Sequence, residues 1–138
     1  MKYSIVLLLL FPVFALAQSK ASKDKIDSRL YEVFDGEYLE QLQKQNPFLL
    51  QRWSYYLDHA YYIVEDTKLL MQDYPSVKIE DLSNFNLLQI ERRQGLKRFF
   101  DQSSTYRIEG TNKALVYYPA KIFNQRLNKY LNRTANDG

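Results

Sequence analysis

The chain of 138 residues contains no cysteine, one histidine and only four glycines. Without cysteine, the protein has no disulfide, no thiol nucleophile and no thiolate ligand for zinc or an iron–sulfur cluster. The single imidazole, His59, cannot form a zinc site by itself, because such a site needs several nitrogen or sulfur ligands. The glycines lie far apart, which excludes the glycine-rich loop of nucleotide-binding proteins. We therefore expect no metal and no cofactor.

The sequence also lacks the pattern of a serine hydrolase. No serine lies in a G-x-S-x-G motif, and His59 is the one imidazole available as a base. Glycoside hydrolysis needs only two carboxylates, but sixteen acidic residues single out no pair. The adjacent pairs Glu65-Asp66 and Glu80-Asp81 lack the spacing of a calcium loop, and we interpret them as solvated loop charges. No residue is assigned a catalytic role.

The first seventeen residues have the pattern of a secretory signal peptide. Lys2 supplies a positive charge, residues 5–14 form an unbroken apolar run, and Ala15-Leu16-Ala17 matches an A-x-A cleavage site. As a helix, the apolar run would span about 15 Å, well short of a bilayer core of about 30 Å. We therefore expect removal of residues 1–17, no transmembrane segment in the mature chain, and export to the periplasm or the cell exterior.

The remainder predicts a single α+β domain over residues 30–133, between a flexible N-terminus (18–29) and a frayed tail (134–138). An N-terminal pair of helices opens the domain. Asp35 is the expected N-cap of the first helix, and Asn46-Pro47 starts the second. Apolar residues at steps of three and four predict that the second helix continues to Glu65 or Asp66 and buries Trp53.

The second half of the domain predicts a small antiparallel sheet followed by a helix. Tyr106–Glu109 and Ala114–Tyr118 have the composition of strands, and Gly110–Lys113 fits the hairpin turn between them. Gly95 interrupts any helix that precedes them. An apolar stripe that begins at Ile122 predicts a C-terminal amphipathic helix. Segregation of strands from helices indicates the α+β class.

The charges are distributed unevenly along the chain. Residues 18–91 contain eight basic and thirteen acidic residues, a net charge of −5, whereas residues 92–133 contain ten basic and two acidic ones, a net charge of +8. Such asymmetry indicates an anionic partner, or else two parts that neutralise each other within the fold or across a dimer. Because an exported protein seldom meets nucleic acid, the expected partner is an acidic envelope protein or an anionic lipid or glycolipid surface.

Two sets of side chains are candidates for binding. A basic set flanks Gly95 and precedes two phenylalanines. A second set forms a column of arginine, tyrosine and histidine on the predicted second helix, able to bind a carboxylate or a sugar ring, or simply to cover a neighbouring element. The candidate residues are Arg92, Arg93, Lys97 and Arg98 in the basic set, and Arg52, Tyr55, His59 and Tyr62 in the column.

These patterns favour an exported, non-enzymatic binding or accessory protein of the bacterial cell envelope. The alternative is a small envelope hydrolase that uses paired carboxylates. A deep cleft with two carboxyl groups about 5–10 Å apart would favour the hydrolase. A shallow aromatic and basic patch would favour the binding protein.

The leader pattern predicts a mature N-terminus at Gln18, cyclised to pyroglutamate. Intact-mass analysis of the protein purified from its native host should give a mass that lacks residues 1–17 and one further molecule of ammonia. Retention of Met1 on the purified protein would contradict export.

Overall fold

The computed structural model describes residues 25–65, 67–68 and 72–137; the expected signal peptide lies outside these residues. The described part contains four α-helices, one 3-10 helix and a four-stranded sheet, which confirms the α+β class. In chain order the elements are the 3-10 helix Ser28–Glu32, α1 Gly36–Gln45, α2 Pro47–His59, β1 Tyr61–Glu65, β2 Ser76–Val77, α3 Leu87–Gln94, β3 Ser104–Ile108, β4 Lys113–Tyr117 and α4 Ala120–Asn136.

The chain divides into two compact units at Leu50, inside α2. The first unit contains the 3-10 helix, α1 and the first turn of α2. Asp35 caps α1 as predicted, because its carboxylate accepts a hydrogen bond from the backbone N–H of Glu37. Leu30 and Leu39 are fully buried and supply the apolar interior of this unit.

In the second unit, α2 ends earlier than its apolar periodicity predicts. The helix stops at His59, and Tyr61–Glu65 forms β1 instead of a further helical turn. β1 pairs antiparallel with β4, which places Ile63 opposite Leu115. The predicted continuation of the helix to Glu65 is therefore wrong. The run Tyr-Tyr-Ile-Val is rich in aromatic and β-branched residues, and pairing with a distant strand overrides a helical period in such a run.

The sheet is mixed, with strand order β1-β4-β3-β2. β3 and β4 form the predicted hairpin, and Gly110 in its turn has a φ of 75°, a left-handed conformation that suits glycine. β2 pairs in parallel with β3, Val77 opposite Ile108. The purely antiparallel sheet that we expected is wrong for this strand. The connection from β2 to β3 contains α3 and is long enough for the crossover that parallel strands require.

The core of the second unit surrounds the central strand β4. Leu115 and Tyr117 of β4 are at most 1% exposed, and Leu57 of α2 and Phe123 of α4 are similarly buried. Trp53, which we expected in the core, is half-buried. Leu57, one turn further along α2, occupies the interior position of that helix.

The burial of the core predicts that alanine substitution lowers the free energy of unfolding much more at one of two paired sheet positions than at the other. Leu115→Ala removes a side chain that is 0% exposed and should lower the free energy of unfolding by about 2–5 kcal/mol. Ile63→Ala, at the opposed but 37% exposed position of the edge strand, should cost less than half as much. Denaturant unfolding of both variants checks this; equal losses would contradict the burial described here.

Candidate functional site

One carboxylate, two phenols and a guanidinium lie together in the second unit. Oε1 of Glu91, on α3, accepts hydrogen bonds from the hydroxyls of Tyr56 on α2 and Tyr117 on β4, the latter at 2.7 Å. The guanidinium carbon of Arg98 lies 4.9 Å from the ring centroids of both Tyr56 and Phe123. Contacts at this distance are typical of cation–π interactions. This Glu91 cluster connects α2, α3, α4 and the sheet.

The electrostatics of the cluster keep both phenols protonated. Burial raises the pKa of Tyr117, and the negative charge of Glu91 raises it further. Burial and then Glu91 also raise the pKa of Tyr56, while Arg98 opposes them. The Arg98 Nε is buried and has no hydrogen-bond partner within the described part of the chain, while the guanidinium carbon lies over both aromatic rings. The cluster is therefore a structural link between elements.

The shared acceptor predicts that Tyr117→Phe is destabilising. Loss of a hydrogen bond to a charged group should lower the free energy of unfolding by about 1.5–3 kcal/mol. Tyr62→Phe, on the exposed edge strand, serves as the matched control and should change it by no more than about 0.5 kcal/mol. Thermal and denaturant unfolding at neutral pH measure both effects. Equal stability of the two variants would show that the Glu91 link is dispensable.

The raised tyrosine pKa values also predict alkaline sensitivity. Because folding raises the pKa of Tyr56 and Tyr117, their contribution is complete below the pKa of an unfolded tyrosine, about 10, and is lost as pH rises through the folded pKa. Between about pH 10 and the raised folded pKa of Tyr117, stability should fall more steeply in the wild type than in Tyr117→Phe, by up to about 1.4 kcal/mol per pH unit. Parallel pH dependences would contradict this assignment.

The structure separates Arg98 from the rest of the basic set. Arg98 is half-buried in the Glu91 cluster, whereas Arg92, Arg93 and Lys97 are exposed. Arg92 and Arg93 lie in the last turn of α3, where positive charge is favoured by the helix dipole. Gly95, with a φ of 66°, ends the helix and turns the chain toward Lys97. Arg98 therefore positions this segment, whereas the other three residues lie at the surface.

The backbone of Lys97 is held by hydrogen bonds to the sheet, and its side chain is exposed. Its N–H donates to the Tyr106 hydroxyl at 2.6 Å, and its carbonyl accepts from the Ser104 hydroxyl at 2.8 Å. Tyr106 and Ser104 are buried residues of β3. The start of the segment is thus attached to the sheet.

The end of the same segment is attached to α4. The carbonyls of Phe99 and Phe100 accept hydrogen bonds from the backbone N–H groups of Ala120 and Lys121, at 2.9 and 3.1 Å. These N–H groups belong to the first turn of α4 and have no acceptor inside the helix. Residues 97–100, which we call the Phe segment, are therefore held at both ends. Sequence reasoning treated the two phenylalanines only as neighbours of the basic set.

The aromatic column is partly as predicted. Tyr55 stacks between His59 and Tyr130 of α4, with ring centroids 4.3 and 4.7 Å apart. Arg52, on the same helix, donates to the side-chain oxygen of Asn124 at 3.4 Å. Three members of the column thus lie along α2, and two of them, Arg52 and Tyr55, contact α4. Since the Tyr55 ring packs against the rings of His59 and Tyr130, the arrangement favours a covering role over an open sugar site.

Tyr62 does not belong to this column. Because α2 ends at His59, Tyr62 lies on β1, where its ring centroid is 4.9 Å from that of Tyr118. The guanidinium carbon of Arg126, a residue of α4, lies 4.2 Å from the Tyr118 ring centroid. The prediction of a single helical column is wrong at this position, for the same reason that the predicted length of the helix is wrong.

Three of the four residues of the acidic pairs lie within the described part of the chain. The carboxylate of Asp81 accepts hydrogen bonds from the Ser83 hydroxyl and backbone N–H, which lower its pKa and close a local turn. Glu80 is exposed, Glu65 accepts a hydrogen bond from Asn112 at 2.8 Å, and Asp66 lies outside the described residues. Among the described residues, no group of three or more acidic or histidine side chains could hold a metal.

A wide, open depression of about 920 Å³ lies at the hairpin end of the sheet. Its lining includes one carboxylate, Glu109, between the basic residues Arg107 and Lys113. A single carboxylate in an open depression does not supply the pair of groups that glycoside hydrolysis requires.

No helix in the described ranges combines the length and apolar character needed to cross a membrane. Comparison of the chain with protein-family models, with curated proteins and with solved structures found no match. The proposals below therefore depend on the geometry of the chain itself.

Proposed function

We propose that this chain is an exported, non-enzymatic binding or accessory protein of the bacterial cell envelope that engages an anionic partner. The binding surface consists of the exposed basic residues around the Phe segment: Arg92, Arg93, Lys97 and Lys121. The single observation that carries the proposal is their exposure within a stretch, residues 92–133, whose net charge is +8. Charges of one sign within about a Debye length attract an anionic partner.

Few acidic residues lie close to this basic set in the sequence. Glu91 precedes it directly, but one oxygen of its carboxylate already accepts two tyrosine hydroxyls. Asp101, which is exposed, and Glu109 are the two acidic residues between Arg92 and Arg133. This local excess of positive charge supports a binding role for the exposed basic residues.

The geometry favours binding over hydrolysis. The half-buried carboxylate of Glu91 is occupied by Tyr56 and Tyr117, which supports a structural role. The Asp81 carboxylate closes a turn, and the open depression beside the hairpin offers Glu109 alone. Glycoside hydrolysis requires a pair of carboxyl groups, which the lining of this depression does not supply.

Retention on an immobilised sulfated polysaccharide tests the binding surface. The variant Arg93→Gln/Lys97→Gln/Lys121→Gln should elute at markedly lower salt than the wild type, because three exposed charges leave one surface. The control Lys25→Gln/Lys44→Gln/Lys68→Gln removes the same charge from exposed positions elsewhere in the chain and should elute close to the wild type. Equal shifts for both variants would reduce the effect to net charge and overturn the assigned surface.

A further inference from the structure

The Phe segment exposes two adjacent large apolar side chains. Phe99 is 44% exposed and Phe100 is 60% exposed. Basic side chains flank them, with Lys97 two residues before Phe99 and Lys121 bonded through its backbone N–H to the Phe100 carbonyl. Single exposed apolar residues are ordinary on protein surfaces, but an adjacent pair inside a basic surface is a recognised mark of an interaction site.

We propose that the Phe segment docks this protein on an anionic lipid bilayer. This inference rests on the proposed function and names its partner. Phe99 and Phe100 enter the boundary between head groups and acyl chains, while Arg93, Lys97 and Lys121 contact lipid phosphates above them. Apolar rings below basic side chains match the layered chemistry of a bilayer surface, where long lysine and arginine stems let the charge stay at the head groups.

The backbone of the segment suits the interfacial environment. Unsatisfied peptide groups are costly to carry toward hydrocarbon. Here the carbonyls of Phe99 and Phe100 already accept hydrogen bonds from α4, and both backbone groups of Lys97 are bonded to β3 side chains. These bonds also fix the backbone of the segment before binding, so that little backbone conformational entropy is lost on docking.

The size of the apolar patch favours a bilayer over a protein partner. Two fully buried phenylalanines account for at most about 300–500 Å², whereas a standard protein interface buries about 800 Å² on each partner. A fluid lipid surface needs no matching pocket and gains its affinity from a few inserted rings together with electrostatic attraction. Exposed Asp101, directly after Phe100, is repelled by anionic lipid and limits insertion to the head-group boundary.

Vesicle co-sedimentation tests the inserted rings. Wild-type protein should bind vesicles of phosphatidylcholine and phosphatidylglycerol and bind phosphatidylcholine alone far more weakly. Phe100→Ser should weaken binding to the anionic vesicles about tenfold, the loss expected when one ring no longer leaves water. Its elution from the sulfated polysaccharide should stay unchanged, because no charge is altered.

Phe48→Ser is the matched control, because Phe48 is 62% exposed and lies at the start of α2, in the acidic part of the sequence. Its binding to vesicles and polysaccharide should equal that of the wild type. Phe99→Ser repeats the test at the neighbouring ring, and thermal unfolding confirms that each variant is folded. A loss of vesicle affinity in Phe48→Ser equal to that in Phe100→Ser would overturn the role of the Phe segment.

The remaining outcomes separate this inference from the proposed function. Loss of vesicle binding in Arg93→Gln/Lys97→Gln/Lys121→Gln but not in Phe100→Ser would keep the anionic partner and overturn ring insertion. Retention of the wild type on the polysaccharide without binding to anionic vesicles would overturn the bilayer in favour of an acidic protein surface. Absence of both interactions would overturn the inference and the proposed function together.

Discussion

One carboxylate oxygen organises the second unit of this protein. Oε1 of Glu91 accepts hydrogen bonds from Tyr56 and Tyr117, and so joins α3 to α2 and to the central strand of the sheet. A half-buried acceptor of this kind is costly when unpaired and stabilising when its donors are in place. Because Glu91 lies one turn before the end of α3, the link also fixes the direction in which the chain leaves that helix. Arg98, stacked on Tyr56 and Phe123, continues the same arrangement.

Features with strong local causes were predictable from the sequence. The Asp35 cap, the end of a helix at Gly95 and the hairpin turn at Gly110 each depend on a few adjacent residues, and the structure contains all three. The end of α2 was not predictable in this way. Tyr61–Glu65 becomes a strand because β4, some fifty residues later, supplies its partner. The parallel pairing of the two-residue strand Ser76–Val77 likewise depends on β3 and leaves no periodic signal in so short a segment.

The sequence indicates which residue types form the candidate site, but it does not indicate which of them are exposed and which are buried. The basic set around Gly95 was visible as a run of charges, and three of its members are exposed. Arg98 differs because Tyr56 and Phe123, which stack on it, come from distant parts of the chain. No local pattern distinguishes an arginine that stacks on aromatic rings from one that faces water. The exposure of Phe100 could not be predicted from the sequence either. Adjacent phenylalanines ordinarily indicate a buried core, and only the tertiary structure shows that these two lie outside it.

The inward position of Arg98 and the outward position of Phe99 and Phe100 are two consequences of one constraint. The segment must leave α3 at Gly95 and meet the first turn of α4 within a few residues, and its backbone is bonded at Lys97 and at both phenylalanines. With the backbone fixed, the side chains have little freedom to exchange places. The guanidinium carbon lies 4.9 Å from the centroids of the Tyr56 and Phe123 rings, which pack edge to face on each other, and these cation–π contacts compensate for the partial loss of water. The two phenyl rings are left at the surface beside Lys97 and Lys121, and this fixed exposure underlies the proposed attraction to an anionic lipid surface.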